Sequence, residues 1–386
     1  MNKRNVLRGI LSASLALSLA LPMTAGANET ESAKAPLNIC IVTSSGVDDG
    51  SFNENCYDGI KAYLENHPDS RVTDVKEADF SKLIPTVEGL VGDYDAFVLP
   101  GYNFAAVGEV AQNNPDKYFI VVDSTVTDAE GNTLQAADLG NVYTMTFQEE
   151  QSGFFAGLAA ALSTQSNKVA VVNGIAFPSN VNYQFGFMSG VNYANANYGT
   201  AAEIVELPSY AGTATVPVDG MPDDGMNVGG NYVGAFDDEA TGKQVGKALL
   251  DEGCDVIFVA AGASGNGVFA AVKEDGNSYC IGCDVDQYDD GANGDKNFIL
   301  TSALKVMDIN VDRQLSAISD GSFEAEDAML GADTDSTGYV SEEGRQQLSE
   351  DALEKMAEAY ELVKDGTIVP ASNFNGSLPD SFQGLE

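Results

Sequence analysis

The sequence predicts an α/β chain of two lobes, each a parallel sheet with helices on both faces. Short apolar runs bounded by turn residues alternate with longer amphipathic segments for most of the length. The alternation falls into two similar series that meet near residue 147, and 386 residues exceed what a single core organises. Two such series imply two lobes with a cleft between them, and open α/β sheets bind ligands beyond the carboxyl ends of their strands.

The elements follow in order. Residues 1–27 carry basic Lys3, Arg4 and Arg8, an apolar run over 10–21, a break at Pro22 and small Ala25, Gly26 and Ala27, the pattern of a secretory signal peptide. The apolar run is shorter than the roughly 20 residues a spanning helix needs, so an exported chain is expected, with a linker at 28–36. No Cys follows the small residues, so a lipid-anchored N-terminus lacks its thiol. The run 37–43 (LNICIVT) reads as a buried first strand, followed by a helix over 53–66 that Ser51 can cap. Strands are predicted at 71–77, 96–99, 118–123 and 142–147, then a helix at 149–162. The second series has strands at 168–175, 201–207, 256–260, 279–283 and 298–302. The stretch 208–231, rich in Pro and Gly, reads as a surface insertion. A helix at 308–319, an acidic irregular stretch, an amphipathic helix at 349–365 and a loop tail over 371–386 complete the chain.

Charge narrows the partners. With 58 acidic against 19 basic residues the formal net charge is −39, which repels nucleic acid, heparin-like chains and anionic lipid at long range. No nucleic-acid partner is expected. The five cysteines are odd in number, so at least one is unpaired in a monomer, the state expected here. Cys280 and Cys283 have CxxC spacing, but on a strand they point to opposite faces, and a zinc site would want a second such pair. They read as core residues, with one inter-strand disulfide left open. Neither metal nor cofactor is expected.

Catalytic signatures are sparse. His67, the only histidine, precedes Pro68 at a helix end that reads as a surface turn. Asp333-Thr-Asp335-Ser-Thr337-Gly338 resembles the start of an EF-hand loop, yet the twelfth position is Gly344, where a bidentate Glu belongs. A solvated turn is the better reading. Gly262-Ala-Ser-Gly265-Asn-Gly267 departs from the dinucleotide order GxGxxG, and reads as a tight strand-to-helix turn where backbone approaches a ligand closely.

Binding signatures are stronger. Phe52 and Asn53 follow the first strand, placing an aromatic face and an amide where a ring-shaped polar ligand would sit. Asp123, Asp284 and Lys305 end strands that should face the same crevice. Carboxylates so placed accept hydrogen bonds from vicinal hydroxyls, and Lys305 either adds a charged donor or pairs with Asp284.

Taken in order, VDDGSFNENCYDGI, FQEEQSGFFAG, NYQFGFMSGVNYAN, VGAFDDEATGKQVGKALLDEGCDVIFVAAGASGNGVF, IGCDVDQ and LTSALK resemble the basic membrane protein family, purine nucleoside receptors that serve ABC importers. The resemblance implies a type I periplasmic-binding-protein fold, two Rossmann-like lobes joined by a hinge. It implies an N-terminal lobe of 37–147 plus about 306–325, and a C-terminal lobe of 148–305 plus about 326–370. It further implies that Phe52 and Phe236 sandwich a base whose edge Asn53 and Asp123 read, that Asp284 and Lys305 hold ribose hydroxyls, and that backbone at Gly262 closes the floor. Tyr183 is the expected cleft residue of its helix and Phe187 a core residue. A membrane ABC permease is the implied partner. The chain departs from the family in carrying Ser44 where an Asp is common, in lacking a lipidation Cys, and in the length of 208–231. Competing readings are a sugar or other small-solute receptor of the same fold, a secreted carboxylate-based hydrolase, and a calcium-dependent adhesin.

Overall fold

The computed structural model describes residues 36–218, 220–221 and 224–386, and within it Lys34–Glu386 form one unit. The signal peptide and most of the linker expected at 28–36 lie outside the described residues.

Two six-stranded sheets organise the chain. The first takes its strands in the spatial order Glu326–Leu330, Val142–Phe147, Tyr118–Val122, Ala96–Pro100, Asn38–Thr43 and Arg71–Lys76, all parallel. The second repeats that order with Thr337–Tyr339, Ile299–Lys305, Tyr279–Asp284, Val256–Ala260, Lys168–Asn173 and Glu203–Ile204. Its one antiparallel pairing is Thr337–Tyr339 against Ile299–Lys305. The central strands are fully buried, as apolar runs covered on both faces require: Ala96–Pro100 and Val256–Ala260 have no exposed residue.

The chain crosses between lobes three times, after Phe147, after Lys305 and after Leu330. These segments bond to one another. Gln148 N–H donates to Leu330 O (2.9 Å), Val306 N–H to Ser336 O (2.9 Å), and the Gln151 side-chain oxygen accepts from Ala332 N–H and the Thr337 hydroxyl (2.7 Å each).

Several expectations need correction. The lobe boundary expected near 326 falls later, because Glu326–Leu330 pairs in register with Val142–Phe147 of the first sheet. Ala328 and Leu330 face that lobe's core, while Asp327 accepts from the Thr144 hydroxyl (2.8 Å) and Ala136 N–H (2.9 Å), so an acidic stretch becomes an edge strand. The strand expected at 201–207 shrinks to Glu203–Ile204. The insertion is partly internal: Ala214, Val218 and Val228 are buried, and Gln184 of the helix Pro178–Asn197 donates to Val228 O (2.7 Å). The tail from 371 also packs, burying Ala371 and Phe382. All five cysteines are free and buried, with Cys280 and Cys283 in cores on opposite faces of their strand. His67 is buried rather than at a surface turn, stacked on Tyr63 with ring centroids 4.0 Å apart.

Candidate functional site

The strand ends of both sheets converge on a cleft. All eight residues singled out from the sequence line it: Phe52, Asn53, Asp123, Tyr183, Phe236, Gly262, Asp284 and Lys305. The turn before the first helix sets Phe52 and Asn53. Its cap is Asp49, not Ser51: the Asp49 carboxylate accepts the N–H groups of Ser51 (3.1 Å), Asn53 (3.0 Å) and Glu54 (3.0 Å). Ser51 is thereby freed for another partner. Its hydroxyl reaches into the other lobe to Asp284 Oδ2 (2.8 Å), with Cys283 O nearby (3.3 Å), and Gln287 Nε2 donates to Gly50 O (3.1 Å) beside it.

Asp123 directly follows its strand and Asp284 ends its own, both in left-handed backbone with φ of 63° and 68°. Such a conformation is uncommon outside glycine and is tolerated best by Asp and Asn. Asp284 is satisfied by hydroxyls, the Tyr183 OH donating to Oδ1 (2.8 Å) and Ser51 to Oδ2. Asp123 is satisfied by charge. Lys305 Nζ lies 2.5 Å from its Oδ2 and 3.1 Å from the Glu149 carboxylate, while Asp123 Oδ1 is buried with no partner. Lys305 therefore pairs with Asp123 and Glu149 rather than with Asp284.

Burial dominates the electrostatics. It pushes Asp123 up to about 7, against the lowering pull of Lys305. On Lys305 burial acts to lower the pKa, but Asp123, Glu149 and Asp284 outweigh it and hold the ammonium charged. Glu150, the neighbour of Glu149, is pushed up to about 8 by burial and then by the Glu149 charge. The Phe52, Phe147 and Tyr183 rings surround the ammonium at 5.0, 5.3 and 5.7 Å, within cation–π range.

The aromatic lining extends beyond the expected pair. Tyr102, Phe177 and Phe236 form a ladder with centroids 5.5 and 5.9 Å apart, Tyr102 coming from the first lobe and the other two from the second. A Cβ at Gly174 would lie 2.3 Å from the Phe236 ring, so only glycine lets that ring sit where it does. Phe187 is core, stacked on Phe258 at 6.0 Å, as expected. Sequence reasoning missed Ser45, Tyr102, Phe177 and Asn180 in the lining, and Ser51 and Glu149 in the bonding around it. For Tyr102 and Phe177 a signal existed, since both lie just past strands whose ends face the cleft.

Among the described residues no group of three or more His, Cys, Asp or Glu has metal-holding geometry. In the EF-hand-like stretch, the Asp335 carboxylate is taken by Lys364 (2.5 Å). A larger surface basin beside the hairpin of Ala292–Asn293 and Lys296–Asn297 lacks the convergent buried charges of the cleft.

Comparison with known proteins agrees with this architecture. The model of the family described as "ABC transporter substrate-binding protein PnrA-like" matches residues 37–210 and 222–373, passing over part of the insertion. The chain is 29% identical over 348 residues to the CD4+ T-cell-stimulating antigen of Listeria innocua, covering 85% of this chain and 86% of the relative. It is 26% identical over 308 residues to the ABC transporter nucleoside-binding protein BmpA of Lactococcus lactis, covering 75% and 77%. A solved ABC transporter solute-binding protein from Aeropyrum pernix superposes with a TM-score of 0.71 at 21% identity over 87% of this chain and 94% of that one, a likeness of fold. No helix among the described residues is long and apolar enough to cross a membrane. The chain belongs to the PnrA-like family of ABC transporter substrate-binding proteins, also named basic membrane proteins.

Proposed function

We propose that the protein is an extracytoplasmic receptor that takes a nucleoside, by preference a purine nucleoside, into the inter-lobe cleft and delivers it to a membrane ABC permease. The observation that carries this reading is the pairing of Phe52 and Phe236 in one cleft with Asn53, Asp123, Asp284 and Lys305. Flat aromatic faces suit a base, and stacking of this kind is worth about 1–3 kcal/mol per base. The polar groups suit the rest of the molecule. Asn53 donates through Nδ2 to Ser45 (2.7 Å), which leaves its amide oxygen for a base N–H, and Asp123 Oδ1 needs a donor. Each oxygen of Asp284 keeps a second lone pair for a ribose hydroxyl. The name of the Lactococcus lactis relative supports the same ligand class.

Calorimetry with adenosine, guanosine, inosine, their 5′-monophosphates, the free bases and ribose tests the reading. Nucleosides should bind at least about tenfold more tightly than bases or ribose, the factor that 1.4 kcal/mol represents. Monophosphates should be rejected, because about two added negative charges would enter a cleft where Lys305 is already paired with Asp123 and Glu149. A monophosphate that bound as well as its nucleoside would overturn the proposal.

A further inference from the structure

Lys305 lines the cleft, and two carboxylates hold its ammonium. One belongs to Asp123. The other, Glu149, is buried at the start of the helix Glu149–Ser163, and its second oxygen accepts from Asn182 Nδ2 at 2.9 Å. Asn182 is in turn fixed by the C-terminal segment, because Asn373 N–H donates to its Oδ1 at 2.8 Å. This sets the amide orientation. A flipped Asn182 would put NH₂ against the Asn373 N–H and oxygen against a Glu149 oxygen, a donor–donor and an acceptor–acceptor contact.

Glu149 and Asn182 stand on two helices that cannot slide freely past one another. A Cβ at Gly153 or Gly157 would fall 2.5 or 2.0 Å from the backbone oxygens of Tyr183 and Phe187, and one at Gly186 or Gly190 2.1 or 2.0 Å from those of Glu150 and Phe154. Backbone meets backbone along the whole contact. The tail then clamps the second helix from outside: Ala371 N–H donates to the Ser189 hydroxyl (3.3 Å), and Asn192 and Asn197 donate to Pro379 O (2.8 Å) and Leu385 O (2.9 Å). Residues 374–386 of that tail lie beyond the stretch the family model matches.

We propose that Glu149 and Asn182 are positioning residues for the ligand site, a line of two hydrogen bonds and one ion pair that runs from the C-terminal segment and holds the Lys305 ammonium in the cleft. The proposal rests on the cleft being the nucleoside site. An ammonium has three donors; one goes to Asp123, and the ion pair with Glu149 at 3.1 Å fixes the head from a second side, so a donor is left for the ligand with its direction set by these two contacts. Without Glu149 the ammonium swings toward Asp123 and Asp284, and the donor is lost.

The test uses the mature full-length protein with Glu149→Gln, which keeps the side chain's shape, and Asn182→Ala, which leaves Lys305 and both its carboxylates in place. Affinity for adenosine, guanosine and inosine should fall about tenfold or more in Glu149→Gln and about threefold in Asn182→Ala, scaled from the loss of a hydrogen bond to a charged group. Independently of ligand, the Lys305 side-chain resonance in ¹³C-lysine-labelled protein, assigned by its loss in Lys305→Arg, should shift in both variants while remote lysines stay put. Unchanged affinity together with an unmoved Lys305 resonance in folded variants would overturn the positioning role. If the wild type binds none of the three nucleosides, the functional reading falls, and the Lys305 resonance alone decides the positioning.

Discussion

In the first lobe the strand third from the sheet edge, Tyr118–Val122, leads straight into Asp123; in the second, the strand in the matching place, Tyr279–Asp284, ends on Asp284. Both acids adopt left-handed backbone, and both turn a carboxylate into the same cleft. Their partners differ in kind. Asp123 is compensated by the Lys305 charge and keeps one buried oxygen without a partner, whereas Asp284 receives two neutral hydroxyls. What the pair shares is that each is completed from across the cleft, Asp123 by Lys305 of the second lobe and Asp284 by Ser51 of the first. Neither site is whole in an isolated lobe, so bringing the lobes together and assembling the site are one event.

The sharpest way to break the contrast is to remove the charge. Lys305→Met leaves Asp123 and Glu149 buried without their cation, and removing one member of a buried ion pair costs about 3–5 kcal/mol. A fall of that size in urea-unfolding stability is expected, with partial recovery in Lys305→Met combined with Asp123→Asn. A loss under about 1 kcal/mol would mean that water, not Lys305, solvates Asp123.

Next in size is a pH effect on the charged side of the comparison. Glu150, pushed up to about 8, holds its proton in the folded protein at pH values where the unfolded chain has released it. Its contribution to stability is therefore fully present below the ordinary carboxylate range and is lost as pH rises toward 8. The slope from one such group is at most about 1.4 kcal/mol per pH unit. Melting temperature should fall from pH 5 to pH 8, and Glu150→Gln, which cannot ionise, should flatten that fall. Parallel curves for variant and wild type would refute the assignment.

The aromatic faces should rank below the charges. Phe52→Ala and Phe236→Ala should each weaken nucleoside binding by about 1–3 kcal/mol, the range for one stacked base. Affinity unchanged from wild type in both variants, measured by calorimetry, would put these rings in a packing role.

How far the sequence reaches follows from what each residue depends on. Strands such as 37–43 and 256–260 are legible because burial on both faces forces an unbroken apolar run. Glu326–Leu330 is not, because an edge strand needs only Ala328 and Leu330 to face inward, and its Asp327 accepts from the Thr144 hydroxyl and the Ala136 N–H. Phe52, Asn53, Asp123, Gly262, Asp284 and Lys305 are legible from their places after or at strand ends, since position in an open sheet dictates where a side chain arrives, whereas Phe236 and Tyr183 rest on the family resemblance. Their cross-cleft partners are not, because nothing local to Ser51 or Glu149 records how one lobe is set against the other. His67 failed as a surface turn for a different reason: Tyr63, one helical turn earlier, covers its ring and offers its carbonyl to Nδ1 at 2.9 Å.

The smallest expected effect isolates the neutral side of the comparison. Ser51 lies in the first lobe, is buried, and makes a single-hydroxyl bridge to a carboxylate of the second. Because Asp49 already caps the first helix, Ser51→Ala leaves that helix intact and removes only the bridge. Asp284 then keeps the Tyr183 hydroxyl, so its loss is partial and the cost should be about 1 kcal/mol, the net worth of one ordinary hydrogen bond. The bridge exists only when the lobes meet, so that cost should appear as a faster release of nucleoside, roughly fivefold, with the association rate little changed. Stopped-flow displacement separates the two. A variant whose association slows while its release is unaltered would place Ser51 in the open cleft, reading the ligand as it arrives, and would end the claim that the two acids are completed symmetrically from across the cleft.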